Sequence, residues 1–429
     1  MIALPLSELA GLGDLVAAPG AAVATGLTTD SRAVAPGDLF VAVGGGVAFV
    51  EQARAAGAAA TLVADDPQAA LAAVGRAIMA RSRARVVGVT GSNGKTSTKD
   101  ILGALCAAAA PTVATQGNFN NEIGLPLTIG RIEPETELVV LEMGMRGLGQ
   151  IAALCSIARP DVAVITSIAP AHLELLGSLA VVAQAKAEIV AALPTGGVAV
   201  VPGGVAELEP WLVGGDIEVR RLGPGEAWRI AGLEPCGDGC RAAFVLGDRS
   251  LTLNLSYRSQ HMLANTLSAL AAYDALGLPL ERAQAGADTI AFSAWRGDEQ
   301  PLPGGGLLIN DAYNANPGSM RAALEDQAAR SQGRRRLAVL GTMAELGLDA
   351  DMFHLELGRL ASELGVDELI AVGGPARAYL VDGPNGAWAP DAAAALELAR
   401  ELVRPGDCVL VKGSRSVGLE VVADALRAF

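Results

Sequence analysis

Residues 85–110 constrain the fold of this chain more than any other stretch, and they read RVVGVTGSNGKTSTKDILGALCAAAA. Val86, Val87 and Val89 form a short apolar run that is typical of a buried strand. A turn punctuated by glycines follows, and apolar residues then recur at helical spacing until Pro111. A strand, a tight glycine turn and a helix in this order predict one βα unit of a parallel sheet.

The turn of this unit has the composition of a phosphate-binding loop, and its residues are Gly91, Ser92, Asn93, Gly94, Lys95, Thr96 and Ser97. Glycines let backbone N–H groups approach phosphate oxygens, and a helix N-terminus adds partial positive charge. Lys95 can reach the β- and γ-phosphates, and the Thr96 hydroxyl can ligate Mg²⁺. The full Walker A pattern needs another glycine where this chain has Val89, so a plain glycine-rich turn is the alternative. The Lys-Thr pair that opens the helix favours a nucleotide phosphate site.

Length and composition limit the remaining possibilities. A chain of 429 residues is long enough for about three domains. No apolar run is long enough to span a membrane, and the N-terminus lacks a basic region and a cleavage site, so we expect a cytoplasmic protein without membrane insertion. The five scattered cysteines are expected to be reduced thiols. A net charge of −14 argues against nonspecific nucleic-acid binding.

The order of apolar segments predicts an α/β fold of three domains. Residues 1–84 read as a small α/β domain with strands at 23–29 and 39–43. Residues 85–297 alternate strand and helix as a doubly wound sheet does, with short antiparallel strands at 217–257. The segment PLPGGG at 301–306 reads as a linker. A second, Rossmann-like alternation then fills the C-terminal domain, 298–429.

Three polar residues of the central domain are candidates for chemistry. Glu142 ends an apolar strand, and in such sheets ligands bind outside the carboxyl ends of the strands. It could hold Mg²⁺ as a Walker B acid does, or it could be a solvated strand end. His172 also follows a strand end, where a structural histidine is the alternative. Lys186 lies in a helix two residues before Glu188, a pattern that alone favours an exposed charge.

Two further turns could bind anions. Thr28, Thr29, Ser31 and Arg32 offer hydroxyl and guanidinium donors beside the Pro36-Gly37 turn, although Asp-Ser-Arg is often only a loop. Lys412 and Arg415 flank Gly413 and Ser414 at the end of the last strand.

Taken together, these segments resemble the Mur ligase family over essentially the whole chain. The motifs that carry the resemblance occur in the family's order, and they are GSNGKTSTK, GNFNNEIGLP, VVLEMGM, AHLELLGS, AQAKAEIV, RSQHMLAN, DAYNANPGSM, LGTMAELG and VLVKGSRS. The YNANP and KGSR elements are most similar to those of the family members that add D-Ala-D-Ala to UDP-MurNAc-tripeptide.

The resemblance implies an ATP-dependent amide ligase of peptidoglycan precursor synthesis. The terminal carboxylate of UDP-MurNAc-tripeptide would attack the γ-phosphate of ATP to give an acyl phosphate. The amine of D-Ala-D-Ala would then displace phosphate and give the pentapeptide. The implied domains bind the UDP-sugar peptide (1–84), bind ATP in a P-loop-type fold (85–297) and close over both (298–429). A monomer is implied as well.

The resemblance also implies roles for individual residues. Thr96 and Glu142 would hold one Mg²⁺, and His172 and a carbamoylated Lys186 would serve a second. The catalytic residues would be Lys95, Glu142, His172 and Lys186. ATP would also contact three further residues, Asn265, Arg296 and Asp311, and His261 shares the signature of Asn265. The substrate-binding residues would be Thr29, Ser31, Arg32, Asn118, Asn121, Tyr313, Asn314, Asn316, Lys412 and Arg415.

The chain departs from the family pattern in two places. Relatives usually carry Asp-Gly-His-Asp before a phenylalanine, where this chain has Gly44–Phe49, so some sugar or uracil contacts must differ. Relatives tend to have an acid at the position of Thr342. Two alternatives remain open from the sequence: another ADP-forming ligase of the superfamily, such as a sister Mur ligase or a folylpolyglutamate synthetase-like enzyme, and a nucleotide-binding switch without ligase activity.

Overall fold

A computed structural model describes residues 1–237 and 239–427 of the chain. The chain divides into two units. The first comprises Met1–Ser167, Ala183–Arg258 and Met262–Ala291, and the second comprises Ile168–Val182, Ser259–His261 and the chain from Phe292 onward. Within the described residues, every helix is too short or too polar to cross a membrane. The five cysteines are free thiols, and only Cys236 is exposed.

The N-terminal part of the first unit contains a two-stranded sheet and a four-stranded sheet. Its elements are β1 (Leu4–Pro5), β2 (Asp14–Ala17), β3 (Val23–Ala24), β4 (Gly26–Thr28), β5 (Asp38–Val41), α1 (Val50–Ala55), β6 (Ala60–Val63) and α2 (Pro67–Met79). The larger sheet has the order β2-β6-β5-β4. The single strand predicted at 23–29 is wrong, because the Thr25 N–H bonds to the Gly37 carbonyl at 2.8 Å and the chain passes there from one sheet to the other.

The rest of the first unit is built on a nine-stranded sheet of order β15-β14-β13-β12-β11-β10-β7-β9-β8. The elements from residue 85 to 287 are β7 (Arg85–Thr90), α3 (Lys95–Ala107), β8 (Thr112–Ala114), α4 (Gly124–Ile129), β9 (Leu138–Glu142), α5 (Gln150–Ile157), β10 (Val162–Ile165), α6 (Leu173–Leu176), α7 (Leu179–Ala191), β11 (Val198–Pro202), β12 (Glu218–Leu222), β13 (Trp228–Cys236), β14 (Gly239–Leu246), β15 (Arg249–Leu255), α8 (Gln260–Ala275) and α9 (Ala283–Ala287). Of these, α6 and the first residues of α7 and α8 belong to the second unit.

Strand β7 lies in the parallel part of this sheet, between β9 and β10. All three strands are buried and nearly continuously apolar, as parallel strands covered on both faces must be. Their carboxyl ends therefore meet at one edge of the sheet. The phosphate loop follows β7 at this edge, and Glu142 is the last residue of β9 there. The prediction of antiparallel strands at 217–257 holds for β13 to β15 but is wrong for β12, which pairs parallel with β11.

The second unit contains a six-stranded sheet of order β16-β17-β21-β18-β19-β20. Its elements from residue 298 onward are β16 (Asp298–Leu302), β17 (Gly306–Asp311), α10 (Pro317–Arg330), β18 (Arg336–Gly341), α11 (Ala350–Glu363), β19 (Glu368–Val372), β20 (Gly386–Ala389), α12 (Ala392–Leu402), β21 (Cys408–Lys412) and α13 (Glu420–Leu426). The predicted linker PLPGGG is wrong, because it ends edge strand β16 and turns into β17 as an antiparallel hairpin.

Two apolar clusters cover the two faces of this sheet. Alternate residues of one strand enter different clusters: Leu337 and Val339 pack with α12 and α13, whereas Ala338 and Leu340 pack with α10 and α11. A sheet that is parallel except for edge strand β16, with helices on both faces, confirms the predicted Rossmann-like class.

Candidate active site

The phosphate loop is shaped by two glycines with positive φ. Gly91 has a φ of 146°, and a Cβ there would lie 2.0 Å from Thr166 Oγ1. Gly94 has a φ of 79° and caps α3, and a Cβ there would lie 2.3 Å from Asn265 Oδ1. Both positions therefore need glycine for conformation and for space. The structure places Asn265, predicted as an ATP contact, directly against this loop.

The end of β10 holds the loop from the other side. The N–H of Ser92 donates to the Ser167 carbonyl at 2.9 Å, and the N–H of Asn93 donates to Ser167 Oγ at 2.9 Å. The Thr166 hydroxyl donates to the Asn93 carbonyl. Sequence reasoning missed these two hydroxyl residues, although a Thr-Ser pair directly after a strand beside the phosphate loop was the available signal.

Lys95 is the first residue of α3 and folds back over the loop. Its Nζ donates to the carbonyls of Gly91 at 2.7 Å and Ser92 at 3.4 Å. The next residues, Thr96 and Ser97, are buried. Backbone N–H groups, a lysine and a hydroxyl therefore converge at one helix N-terminus, which is the arrangement that binds nucleotide phosphates.

Glu142, the last residue of β9, is buried rather than solvated. Its Oε1 accepts a hydrogen bond of 2.6 Å from Asn120 Nδ2, and Gly144 leaves the space that this amide occupies. Its Oε2 is also buried, and it has no hydrogen-bond partner in the described part of the chain. A buried carboxylate oxygen without a partner is costly unless a cation or a donor joins it. Glu142 is thus held by Asn120, to which sequence reasoning assigned no role, and Asn118, which was predicted to bind substrate, is exposed.

Asn121, the other predicted contact in this loop, caps a helix. Its Oδ1 accepts from the N–H groups of Gly124 at 2.9 Å and Ile123 at 3.3 Å, at the start of α4. Sequence reasoning missed the contact of Asn120 with Glu142, because only the path of the loop decides which of its three asparagine amides points to the strand end.

Lys186 is buried within α7, so the exposed charge that spacing alone favours is wrong. Burial lowers the pKa of this amine well below its ordinary value, and the nearby charge of Lys95 lowers it further. No carboxylate pairs with Lys186 among residues 1–237 and 239–427. Glu188 instead accepts from the N–H groups of Gly149 and Ala152 and so caps α5. Burial and the neighbouring phosphate-loop lysine therefore both favour the neutral form of this amine.

The predicted UDP-sugar residues lie after β4 in the first unit. Ser31 is buried, and its hydroxyl donates to Gln52 Oε1 at 3.2 Å. Arg32 is exposed, and its guanidinium donates two hydrogen bonds and its backbone N–H a third to Asp30. These bonds lower the pKa of the Asp30 carboxyl to about 2. The shortened loop Gly44–Phe49 forms a 3₁₀ helix that leaves Val47 and Phe49 half exposed.

The second unit contains the remaining candidates. Lys412 is buried, and its Nζ donates to Asp311 Oδ2 at 2.5 Å and to the Asn314 carbonyl at 2.9 Å. It therefore fixes the loop after β17 that carries Tyr313. Asn316 caps α10 through a hydrogen bond from the Ser319 N–H at 2.9 Å.

Two arginines of this unit stack on aromatic rings. The guanidinium carbon of Arg296 lies 3.8 Å from the centroid of Tyr313, and that of Arg415 lies 4.4 Å from the centroid of Trp295. Arg415 also pairs with Glu420 at 2.7 Å. Stacking fixes the orientation of both cations and leaves their donors in defined directions.

His172 precedes α6 in the second unit, and its Nδ1 contacts Glu345 Oε2. Glu345 belongs to the LGTMAELG motif, and sequence reasoning assigned it no role. Within the described residues, no three His, Cys, Asp or Glu side chains cluster closely enough to hold a metal ion by themselves. A metal ion here would therefore take further ligands from hydroxyl groups, water or bound phosphate.

Known proteins match this chain over its full length. The Mur ligase middle domain matches residues 89–273, and the Mur ligase glutamate ligase domain matches residues 299–415. UDP-N-acetylmuramoyl-tripeptide–D-alanyl-D-alanine ligase of Escherichia coli K12 is 34% identical and is aligned over 100% of this chain and 99% of its own length.

Two solved structures have the same fold. MurF from Acinetobacter baumannii superposes with a TM-score of 0.87 at 29% identity, over 100% of this chain and 99% of its own. MurF ligase from Thermotoga maritima, solved in complex with ADP, has a TM-score of 0.81 at 28% identity over 94% and 97%.

Proposed function

Because the chain belongs to the Mur ligase family, we propose that it joins D-Ala-D-Ala to UDP-MurNAc-tripeptide and converts ATP to ADP and phosphate. The observation that carries this conclusion is the full-length similarity to an enzyme named for that reaction, 34% identical over 100% of the chain. The phosphate loop at Gly91–Thr96 supplies the ATP site that the reaction needs.

The reaction proceeds in two displacements. The terminal carboxylate oxygen of the tripeptide attacks the γ-phosphorus of ATP, the bond to the β,γ-bridging oxygen breaks, and ADP leaves. The amine of D-Ala-D-Ala then attacks the carbonyl of the acyl phosphate, loses a proton and expels inorganic phosphate. The first displacement brings two anions together, so cationic and N–H groups must neutralise both. Lys95, which already lies over the loop carbonyls, performs that task for the phosphates.

Glu142 and Thr96 fit one Mg²⁺. The buried Glu142 Oε2 has no partner among the described residues, and a hard cation with oxygen ligands would satisfy it. When bound, the ion would neutralise charge on the β- and γ-phosphates. The protein's own part is to hold the carboxylate in place, which Asn120 does through Oε1.

Lys186 is the proposed site of carbamoylation. Burial and the charge of Lys95 lower the pKa of this amine and so favour its neutral form, which is the nucleophile for CO₂. The nitrogen lone pair forms a bond to the carbon of CO₂, and the nitrogen then loses a proton, which leaves an anionic carbamate. Lys95 would then face a carbamate instead of another amine. This carbamate and His172 would serve a second Mg²⁺.

The remaining assignments follow the family. We propose domains at 1–84, 85–297 and 298–429, which bind the UDP-sugar peptide, bind ATP and contribute the C-terminal part of the site. Asn265, Arg296 and Asp311 contact ATP. Substrate contacts come from Thr29, Ser31, Arg32, Asn118, Asn121, Tyr313, Asn314, Asn316, Lys412 and Arg415.

A coupled ADP-release assay tests the proposal. We expect ADP release that depends on both UDP-MurNAc-tripeptide and D-Ala-D-Ala, with formation of the pentapeptide seen by mass spectrometry. Release with another amino acceptor, such as glutamate or diaminopimelate on a shorter precursor, would assign the chain to a sister ligase. Tight ATP binding without ADP release in any of these mixtures would indicate a nucleotide-binding switch.

A further inference from the structure

The contact between His172 and Glu345 joins two segments of the second unit that are far apart in sequence. His172 lies between β10 and α6, and Glu345 lies between β18 and α11. His172 Nδ1 contacts Glu345 Oε2, and the side chains are 24% and 32% exposed. The Glu174 N–H donates to the Glu345 carbonyl at 3.3 Å, so backbone and side chain of Glu345 both hold the His172 segment.

Both partners of this contact have an unusual backbone conformation. Only four non-glycine residues in the described part of the chain have a positive φ, and His172 (54°) and Glu345 (62°) are two of them. Residues with a Cβ rarely adopt the left-handed region, and such conformations persist where the surrounding structure enforces them. The contact therefore joins two strained positions, an arrangement that is more common at functional sites than elsewhere.

The loop that carries Glu345 is fixed at three preceding residues. The Thr342 hydroxyl donates to the Val372 carbonyl at 3.2 Å. The Met343 N–H donates to Nε2 of the buried His354 at 3.0 Å, and the Ala344 N–H donates to Ser414 Oγ at 2.9 Å. Glu345 thus projects from a rigid scaffold and can impose its position on the histidine.

We propose that Glu345 is the positioning residue of His172. A carboxylate can only accept, so it holds the ring proton at Nδ1 and leaves the lone pair on Nε2. Nε2 is then the atom that acts on the reacting group or ligates a metal ion. Histidines that ligate metals are commonly oriented in this way by a carboxylate at the other nitrogen. The inference rests on the proposed ligase function, because His172 receives its role there.

The tautomer of His172 can be measured directly. The chain has three histidines, so ¹⁵N-histidine labelling gives few signals, and His261→Gln and His354→Gln variants assign them. At about pH 8.5, where an ordinary imidazole is neutral, we expect His172 to carry its proton on Nδ1 in the wild type. In Glu345→Ala this preference is lost. A wild-type His172 protonated on Nε2 would overturn the proposal, whether or not the protein is a ligase.

Kinetics test the consequence. Glu345→Ala is expected to lower kcat by about 10–100-fold, as loss of a residue that orients a ligating histidine does, with KM for each substrate within about threefold of wild type. Glu345→Gln keeps an oxygen that accepts from Nδ1–H and should recover part of the loss. Glu174→Gln is the matched control: it removes an exposed carboxylate two residues from His172 and should keep wild-type activity.

The outcomes separate the two proposals. Equal kcat in Glu345→Ala and Glu174→Gln would refute the positioning role while leaving the ligase function intact. A wild-type protein without ligase activity would refute the proposed function, and the tautomer measurement would still decide the role of Glu345. Thermal unfolding of each variant excludes global destabilisation as the cause of a lower kcat.

Discussion

Gly94→Ala should distort the phosphate loop, because the new Cβ would overlap Asn265. The effect of this overlap on the free energy of unfolding can be separated from the effect of backbone strain. Gly94 has a φ of 79°, and an alanine Cβ there would lie 2.3 Å from Asn265 Oδ1 and 3.1 Å from its Cγ. The left-handed conformation costs an alanine about 1 kcal/mol relative to glycine. Asn265 is buried, so relieving the overlap should cost about 1–3 kcal/mol more, as overpacking typically does. We expect the free energy of unfolding to fall by about 2–4 kcal/mol in total.

Gly149→Ala isolates the contact. Gly149 has a φ of 80° and caps α5, so its backbone matches that of Gly94, but no atom lies within 4 Å of its Cβ position. Its substitution should cost only the conformational part, about 1 kcal/mol. Urea unfolding of Gly94→Ala, Asn265→Ala and the double variant completes a double-mutant cycle. Because Asn265→Ala removes the amide that the new Cβ overlaps, we expect the double variant to lose less stability than the two single variants added together, by more than about 0.5 kcal/mol.

Activity should follow the same difference. Lys95 and Thr96 come directly after Gly94, so any shift of the turn moves the groups that hold the phosphates. We expect kcat/KM for ATP to fall at least about 100-fold in Gly94→Ala, equivalent to about 2.7 kcal/mol of transition-state stabilisation, and to stay within about threefold of wild type in Gly149→Ala. Equal losses of stability and activity in the two variants would refute the reasoning, because strain alone would then explain both.

Three further predictions concern titratable side chains. Lys95→Ala should reduce turnover at least about 100-fold, the typical value of one charge-neutralising group, with an unchanged thermal midpoint; near-normal ligase activity would contradict the assignment. In ¹³C-bicarbonate we expect the wild-type protein to show a carbamate signal by ¹³C NMR, and Lys186→Ala should abolish this signal together with most activity. A wild-type spectrum without the signal would refute the carbamoylation of Lys186. Burial lowers the pKa of His354 below its ordinary 6.5, against the opposing hydrogen bond to the Ala350 carbonyl. As the pH falls, the unfolded chain therefore binds a proton at His354 before the folded chain does. The contribution of neutral His354 to the free energy of unfolding is fully present above about pH 6.5 and is lost as the pH falls towards the lower pKa of the folded state. His354→Gln should flatten that decline in urea titrations between about pH 7.5 and 5.5, and an equal slope in both proteins would contradict it.

Local patterns were sufficient where neighbouring residues determine the structure. The strand, glycine turn and helix around Lys95 were predictable because each part has its own periodicity and the glycines serve the turn itself. The same holds for Asn316 and Asp391, which cap the helices that their positions predict. Strand β16 was missed because DEQPL lacks an apolar alternation, and its Pro301 is tolerated only because the strand lies at the sheet edge.

Side-chain environments could be predicted only where the topology decides them. The location of Glu142 beside the phosphate loop was predictable, because the carboxyl ends of parallel strands meet at one edge of the sheet. The burial of Lys186 was not, because α7 carries apolar and small residues on most of its surface and its sequence does not indicate which face is covered. The contact of Asn120 with Glu142 was not predictable either, because it depends on the path of a loop that no periodicity encodes.

The loop at Thr342 combines a hydrogen bond between neighbouring strands with a contact to a segment that is distant in sequence. The Thr342 hydroxyl donates to the Val372 carbonyl at 3.2 Å, close beside Gly373, where a Cβ would lie 2.4 Å from Thr342 Oγ1. This neutral hydrogen bond joins the ends of β18 and β19. Three residues later the chain still presents the carboxylate of Glu345 to His172, across 173 positions of sequence. Thr342 thus helps to fix the loop from which Glu345 reaches a segment that follows a strand of the other sheet, so the position of His172 depends on contacts that no local sequence pattern indicates.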